Sequence, residues 1–278
     1  MISSLTINDR ELEELKKYLL KVGLKREKCK SEYELLRIKD GKISIVVYKS
    51  GKVVHNESTE TLEVLDNILK KEKNFDYILG SDETGKGEWY GPLVVEAVAL
   101  TPDEIHEFRK LGVRDSKTIS KIHLKELAKD LIKKDFKRNC RILKPETYNR
   151  KYSEFQKEGK SLNMILAWAH AAVVKELLSQ VKFEKAKVII DKFDYEKTEF
   201  RLGNLDRTNI EIIQKSKGES EIPVATASII AKYIFENEVD KLDEEYSIDL
   251  RNSEPSEIDP EILPHVAKIH FKNVKKYI

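Results

Sequence analysis

The chain has 278 residues, enough for one large or two ordinary domains, either of which can bury a core. Charged residues make up 36% of it, but 51 Lys and Arg nearly balance 49 Asp and Glu, so the formal net charge of +2 excludes an overall basic signature and leaves any basic surface local. Cys29 and Cys140 form neither a disulfide framework nor a metal-ligand spacing, and no apolar stretch nears the roughly eighteen residues that span a bilayer, so a soluble cytoplasmic protein is expected.

Residues 10–22 read as an amphipathic helix with Leu12, Leu15, Leu19 and Leu20 on one face. Strand patterns follow at Tyr33 to Arg37, Lys42 to Tyr48 and Lys52 to Val54, punctuated by turns at Asp40-Gly41 and Ser50-Gly51. Thr59 to Leu69 reads as a second helix. Residues 1–70 thus form a small α+β domain, 71–75 a polar linker, and 76–278 a larger domain. The basic runs at Lys21 to Lys30 and Lys133 to Arg138 read as solvated faces.

In the larger domain, Tyr77-Ile78-Leu79 reads as a strand that leads into Gly80-Ser81-Asp82-Glu83-Thr84-Gly85-Lys86-Gly87, and Leu93 to Leu100 as the next strand. Helices are expected at Asp103 to Leu111, at Ser120 to Lys134 with Ser120 as N-cap, at Leu162 to Gln180 and at Val224 to Glu245. Further strands are expected at Asn139 to Leu143, Lys187 to Asp191 and Ile210 to Gln214. Strands joined by helices indicate an α/β domain.

Asp82 and Glu83 concentrate the chemistry of the chain. Carboxylates at a strand end suit hard divalent cations such as Mg²⁺ or Mn²⁺. Asp191 ends another strand, and Glu236 lies on the long helix, where its (i, i+4) spacing from Lys232 also allows a surface ion pair. Four such carboxylates in one cleft would repel one another and persist only with metal ions to neutralise them. Gly80 to Lys86 also fits the G-x-x-x-x-G-K pattern of a nucleotide loop. Against it, Gly87 replaces the hydroxyl residue, two anions would sit in a polyphosphate cradle, and Gly91-Pro92 leaves no helix N-terminus for phosphate. The six histidines are scattered, with none near an Asp in a triad-like spacing.

These strings together resemble the ribonuclease HIII family of type 2 ribonucleases H over nearly the full length. The resemblance is carried by Gly80 to Gly91, Asp115-Ser116-Lys117, Tyr148-Asn149 with Leu162 to His170, Ile189 to Phe193, Ala227 to Lys232, and Ala267 to Asn273. It implies an RNase H-like α/β domain of mixed sheet and flanking helices. It also implies an N-terminal substrate-binding domain similar to half of a TATA-binding protein. The implied activity is hydrolysis of the RNA strand of an RNA–DNA hybrid by two metal ions, leaving a 5′-phosphate and a 3′-hydroxyl. By carry-over Asp82, Glu83, Asp191 and Glu236 form the acidic tetrad, with Glu236 placed eight residues after Ser228. Gly85-Lys86-Gly87 matches the place where relatives meet ribose 2′-hydroxyls. Ser116, Lys117 and Lys217 are further substrate-binding candidates, the lysines toward phosphate.

Two departures qualify the match. The Gly-rich linker of many relatives is missing between Tyr246 and Pro264, and no Gly-Tyr-Gly segment near the C-terminus supplies the junction-reading tyrosine of ribonuclease HII. Poor cleavage at a single embedded ribonucleotide is therefore expected. A monomer without small-molecule cofactor or membrane partner completes the reading. A catalytically silent hybrid-binding module and the nucleotide hydrolase are its alternatives.

Overall fold

The computed structural model describes residues 2–7, 9–69, 74–191, 194–215 and 218–278. Most of the expected 71–75 linker, together with Lys192, Phe193 and Lys217, lies outside them.

The N-terminal part is an antiparallel sheet of β1 (Ile2–Thr6), β2 (Arg26–Glu27), β3 (Glu34–Asp40), β4 (Ile43–Tyr48) and β5 (Lys52–Asn56), in the order β1-β5-β4-β3-β2. Leu36, Ile38, Ile45, Val47 and Val53 alternate along their strands and so share one face. On that face Leu15 and Leu19 of α1 (Asp9–Val22) and Val64 and Leu65 of α2 (Thr59–Leu69) close a core. Neither β1 nor β2 was expected. Ile-Ser-Ser-Leu-Thr reads as a strand only because it pairs along β5, from Ile2 opposite Asn56 to Thr6 opposite Lys52.

A second sheet has the order β10-β9-β6-β7-β8. Its strands are β6 (Tyr77–Thr84), β7 (Leu93–Leu100), β8 (Lys137–Leu143), β9 (Ala186–Asp191) and β10 (Ile210–Lys215). Strands β6, β9 and β10 are parallel, whereas β6, β7 and β8 form an antiparallel meander. Strand β6 runs through Asp82 and Glu83 to Thr84, so the carboxylates sit in the strand itself and no helix follows the glycines. That backbone is not a nucleotide loop.

One face of this sheet is covered by α6 (Leu162–Gln180), whose apolar residues pack on Leu79, Val95, Ala97, Val188 and Ile190. The other face carries α3 (Pro102–Lys110), α4 (Lys121–Ile132) and α8 (Ile222–Tyr246), packed on Ile78, Val98, Leu100 and Ile189. Each Val, Leu or Ile among these, fully buried, contributes about 1.5–3 kcal/mol. Ser120 caps α4 by accepting the His123 N–H, as expected. The register of α8 is fixed at Gly80, where a Cβ would fall 2.2 Å from the carbonyl carbon of Pro223. Only glycine lets the first turn of that helix lie directly on β6.

Helices α5 (Pro145–Lys157) and α7 (Tyr195–Leu202) were not expected, and short helices α9 (Leu263–Val266) and α10 (Lys272–Lys275) finish the chain. The C-terminal segment straps the β6–β7 loop. Gly91 donates to Val266, Lys268 donates its N–H to Trp89, and the Lys268 ammonium meets the carbonyls of Glu88 and Tyr90 at 3.0 and 2.8 Å. Among the described residues no helix is long and apolar enough to cross a membrane.

Candidate active site

Alternation along β6 decides which carboxylates meet. Neighbouring strand residues point to opposite faces, so Asp82 and Glu83 are adjacent in sequence but divided by the sheet. Asp82 has the parity of Gly80 and faces α8, where the Ser228 hydroxyl hydrogen-bonds to it. Glu83 has the parity of Ser81 and faces α6, where His170 Nε2 donates to Glu83 Oε2 at 3.0 Å.

The two environments differ electrically. Burial and then the charge of Glu83 push Asp82 up to about 6, while the Ser228 hydrogen bond acts in the opposite direction. Burial also raises Glu83, but the hydrogen bond and charge of His170, with the charge of Lys86 behind them, outweigh it and hold Glu83 below the usual carboxylate range. Lys86 Nζ lies 3.6 Å from Glu83 Oε1.

Asp191 belongs with Asp82. Ser81 is registered with Ile190 on the parallel neighbour β9, so Asp82 and Asp191 stand side by side at the next step, both on the α8 face. The Gly218 N–H donates to Asp191 Oδ1 at 2.9 Å, which brings Glu219 alongside. Glu219 Oε1 lies 3.1 Å from Lys117 Nζ, and Asp191 also acts on that ammonium, whose pKa is raised first by its hydrogen bond to Glu219. Glu219 was not singled out in the sequence. Its one signal is a place just before the Ile222 helix, and only the fold gives that place meaning.

Glu236 lines a cleft shared with Thr84, Ser116 and Lys117 rather than sitting beside Asp82 on the strands. Eight residues beyond Ser228, the helix carries it about 12 Å further along its axis. Its side chain is 49% exposed and held by Arg251, with Nη2 to Oε2 at 2.6 Å, and Arg251 also binds Asp240 and Asp243. The ion pair that its spacing from Lys232 allows is replaced as well, since Lys232 Nζ donates to Ser116 Oγ at 2.8 Å.

Ser116 Oγ in turn lies 3.0 Å from Ser228 Oγ, so Lys232, Ser116, Ser228 and Asp82 form one chain of contacts. A cleft of ≈ 570 Å³ opens beside it, lined by Thr84, Glu88, Lys117, Lys121 and Lys125 among others. Thr84 Oγ1 is buried there without a hydrogen-bond partner.

Gly85 has φ +93°, and a Cβ would fall 2.1 Å from the Pro92 carbonyl oxygen, so only glycine makes this turn. Lys86 is half-buried and Gly87 exposed at its tip. Lys217 lies outside the described residues.

His170 is the second residue that spacing could not reveal. It is fully buried, with Nδ1 2.7 Å from Ser81 Oγ and Nε2 on Glu83. The sequence separates it from these partners by 89 and 87 residues. Ser81, His170 and Glu83 match a hydrolase triad in composition only, because Ser81 has no exposed surface from which to attack a substrate.

Among the described residues no three His, Cys, Asp or Glu side chains converge tightly enough to ligate an ion as they stand. The donor chemistry nevertheless fits a hard divalent cation. Asp82, Asp191 and Glu219 are oxygen donors drawn to one face, and Asp82 is raised by its burial and by the charge of Glu83.

The ribonuclease HII family model matches residues 79–274. Ribonuclease HIII of Chlamydia abortus is 30% identical over 265 residues, which are 87% of this chain and 86% of the relative. Ribonuclease HIII of Chlamydia pneumoniae is 31% identical over 255 residues, or 83% of each chain. The crystal structure of Bst-RNase HIII in complex with Mn²⁺ covers 100% of this chain and 98% of its own at a TM-score of 0.65, and at 23% identity that likeness speaks to fold alone. By the family match and these relatives, the chain belongs to the ribonuclease HII family and groups with its ribonucleases HIII, enzymes of the ribonuclease H class.

Proposed function

We propose that the chain cuts the RNA strand of RNA–DNA hybrids endonucleolytically, leaving 5′-phosphate and 3′-hydroxyl ends. The observation that carries the reading is Asp82, a partly exposed carboxylate lifted to about 6, with Asp191 beside it on the α8 face. In this reading residues 1–70 form a substrate-binding domain and residues 76–278 the catalytic domain of a monomer.

Asp82, Asp191 and Glu219 would hold Mg²⁺ or Mn²⁺, with Glu83 the fourth carboxylate in place of Glu236. Two such ions, when bound, lower the pKa of the attacking water and stabilise the departing 3′ oxygen. The chain's own residues do the rest. Ser228 fixes the Asp82 oxygens and His170 those of Glu83. The backbone of Gly85 to Gly87 can approach a ribose closely and meet its 2′-hydroxyl, the group that separates RNA from DNA. Lys86 and Lys117 stand ready for the flanking phosphates. With Ser81 sealed, no covalent intermediate on the protein is called for.

End-labelled duplexes of one sequence test this directly: RNA–DNA, RNA–RNA, DNA–DNA, and DNA with one ribonucleotide, each with Mg²⁺, Mn²⁺ or chelator. The expected result is metal-dependent cutting of the RNA strand in the hybrid and poor cutting at the lone ribonucleotide. Binding without cutting under every condition would make the chain a silent hybrid-binding module.

A further inference from the structure

A cationic cleft lies away from the carboxylates, where the N-terminal sheet meets the end of α3 and the loop that follows it. Near the end of α3, Arg109 Nη2 meets Glu11 Oε1 of α1 at 2.7 Å. Beside this pair is a cleft of ≈ 510 Å³. Ser4, Thr6 and Lys52 line it from the N-terminal sheet, and Arg109, Lys110 and Arg114 from α3 and the loop that follows. No carboxylate is among its lining residues.

Two observations mark it as built for an anion. Arg109 is only 5% exposed, yet its Nε is buried with no hydrogen-bond partner, a donor left for something to accept. Arg114 makes one long contact, Nη1 to the Gly112 carbonyl at 3.4 Å. Among the described residues no ion pair ties Lys52, Lys110 or Arg114 to a carboxylate. Glu11 balances one of the four cations, and three remain unneutralised.

We propose that this cleft grips a backbone phosphate of the duplex whose RNA strand is cut, at a point away from the scissile bond. The inference rests on the hybrid-hydrolase reading above. Guanidinium forks and hydroxyls suit the two non-bridging oxygens of a phosphodiester. A free phosphate offers the same oxygens, but the layout favours a strand. Lys52 and Lys110 are exposed on walls supplied by β5 and by the end of α3, so a through-running backbone can be held from both sides. Arg114 also stands two residues before Ser116, whose hydroxyl reaches Ser228 and thereby the Asp82 contacts. A strand anchored here would set the position of that loop against the catalytic face.

The test is the triple variant Lys52→Gln, Lys110→Gln, Arg114→Gln, whose side chains are exposed or half-exposed. It is compared with Lys133→Gln, Lys137→Gln, Lys157→Gln, which removes the same charge elsewhere. Binding of an RNA–DNA hybrid of about 20 base pairs is followed by anisotropy in chelator between about 50 and 200 mM salt. The cleft variant is expected to bind roughly tenfold more weakly, with a log–log salt slope shallower by about one. Its kcat at saturating hybrid should stay within about twofold, since transition-state contacts are untouched. A slope unchanged, or changed only as in the control variant, overturns the proposal. So does tight binding of inorganic phosphate to the cleft by calorimetry when the hybrid slope is unaltered, which would mark a small-anion site. If the wild type fails to cut hybrid while the slope still drops, the hydrolase reading fails and the phosphate grip stands.

Discussion

The two faces of strand β6 carry carboxylates of the same charge in opposite electrostatic states. On the α6 side, Glu83 is met by the His170 imidazole and backed by Lys86, and it is held in its ionised form. On the α8 side, Asp82 has a serine hydroxyl, and its cross-strand neighbour Glu96 is lifted to about 7 by burial. Arg138 reaches one Glu96 oxygen at 3.2 Å, and the other is orphaned. The chain supplies internal countercharge to Glu83 and, among the described residues, pairs Asp82 with no cationic side chain. A binding site for a cation is the second kind of place.

The largest effect is expected from Asp82→Asn. It keeps shape and removes the charge, and it should lower hybrid cleavage by roughly a thousandfold or more while hybrid binding survives. Cleavage within tenfold of wild type would show that the α8 face is not the catalytic one.

The next effect separates two glutamates on either side of Ser228. Glu219→Gln should cost about a hundredfold in kcat, whereas Glu236→Gln, on an exposed side chain engaged by Arg251, should stay within about threefold. Reversed values would return the tetrad to Glu236.

On the opposite face, His170→Ala removes the partner of Glu83 from a sealed site. A drop of about 1–3 kcal/mol in unfolding free energy is expected from urea melts, because a buried carboxylate loses its hydrogen bond. The stability loss should be smaller for His170→Gln, whose amide can still donate to Glu83.

The mildest effect is on pH. Asp82 has a folded pKa raised above its ordinary value. Its contribution to stability is therefore fully present below about pH 4 and is lost as pH rises through about 6 in metal-free protein. A cation must displace that proton, so apparent Mn²⁺ affinity should fall about tenfold between pH 7 and 5, and the rise in Tm on adding Mn²⁺ should be smaller at pH 5. Calorimetry at both pH values checks it. An affinity independent of pH would place the ion elsewhere.

What the sequence made legible follows from which forces act locally. The Leu162–Gln180 helix and the Leu93–Leu100 strand match their expected limits because unbroken apolar runs with clear punctuation decide them. Strand β1 and helix α5 escaped because partners decide them, β5 in one case and the C-terminal segment in the other, where Asn149 Nδ2 holds the carbonyls of Pro264 and Ala267. At the site, the strand-end positions of Asp82 and Asp191 were legible, but not that alternation turns the Asp82 and Glu83 side chains to opposite faces of β6. Glu236 was carried over from the family resemblance, eight residues after Ser228. Helical rise turns those eight residues into a separation along the molecule, whereas Glu219, in an unremarkable turn, is carried to Asp191 by the Gly218 hydrogen bond. Contacts such as His170 with Glu83, 87 residues apart, exist only once the sheet and α6 have formed.

Crystals grown with Mn²⁺ and measured for anomalous scattering would locate the ion on or off the α8 face. A peak about 2.0–2.2 Å from an Asp82 oxygen, with Asp191 or Glu219 in the same shell, is the predicted result. A peak at Glu236, or none beside Asp82, would contradict it.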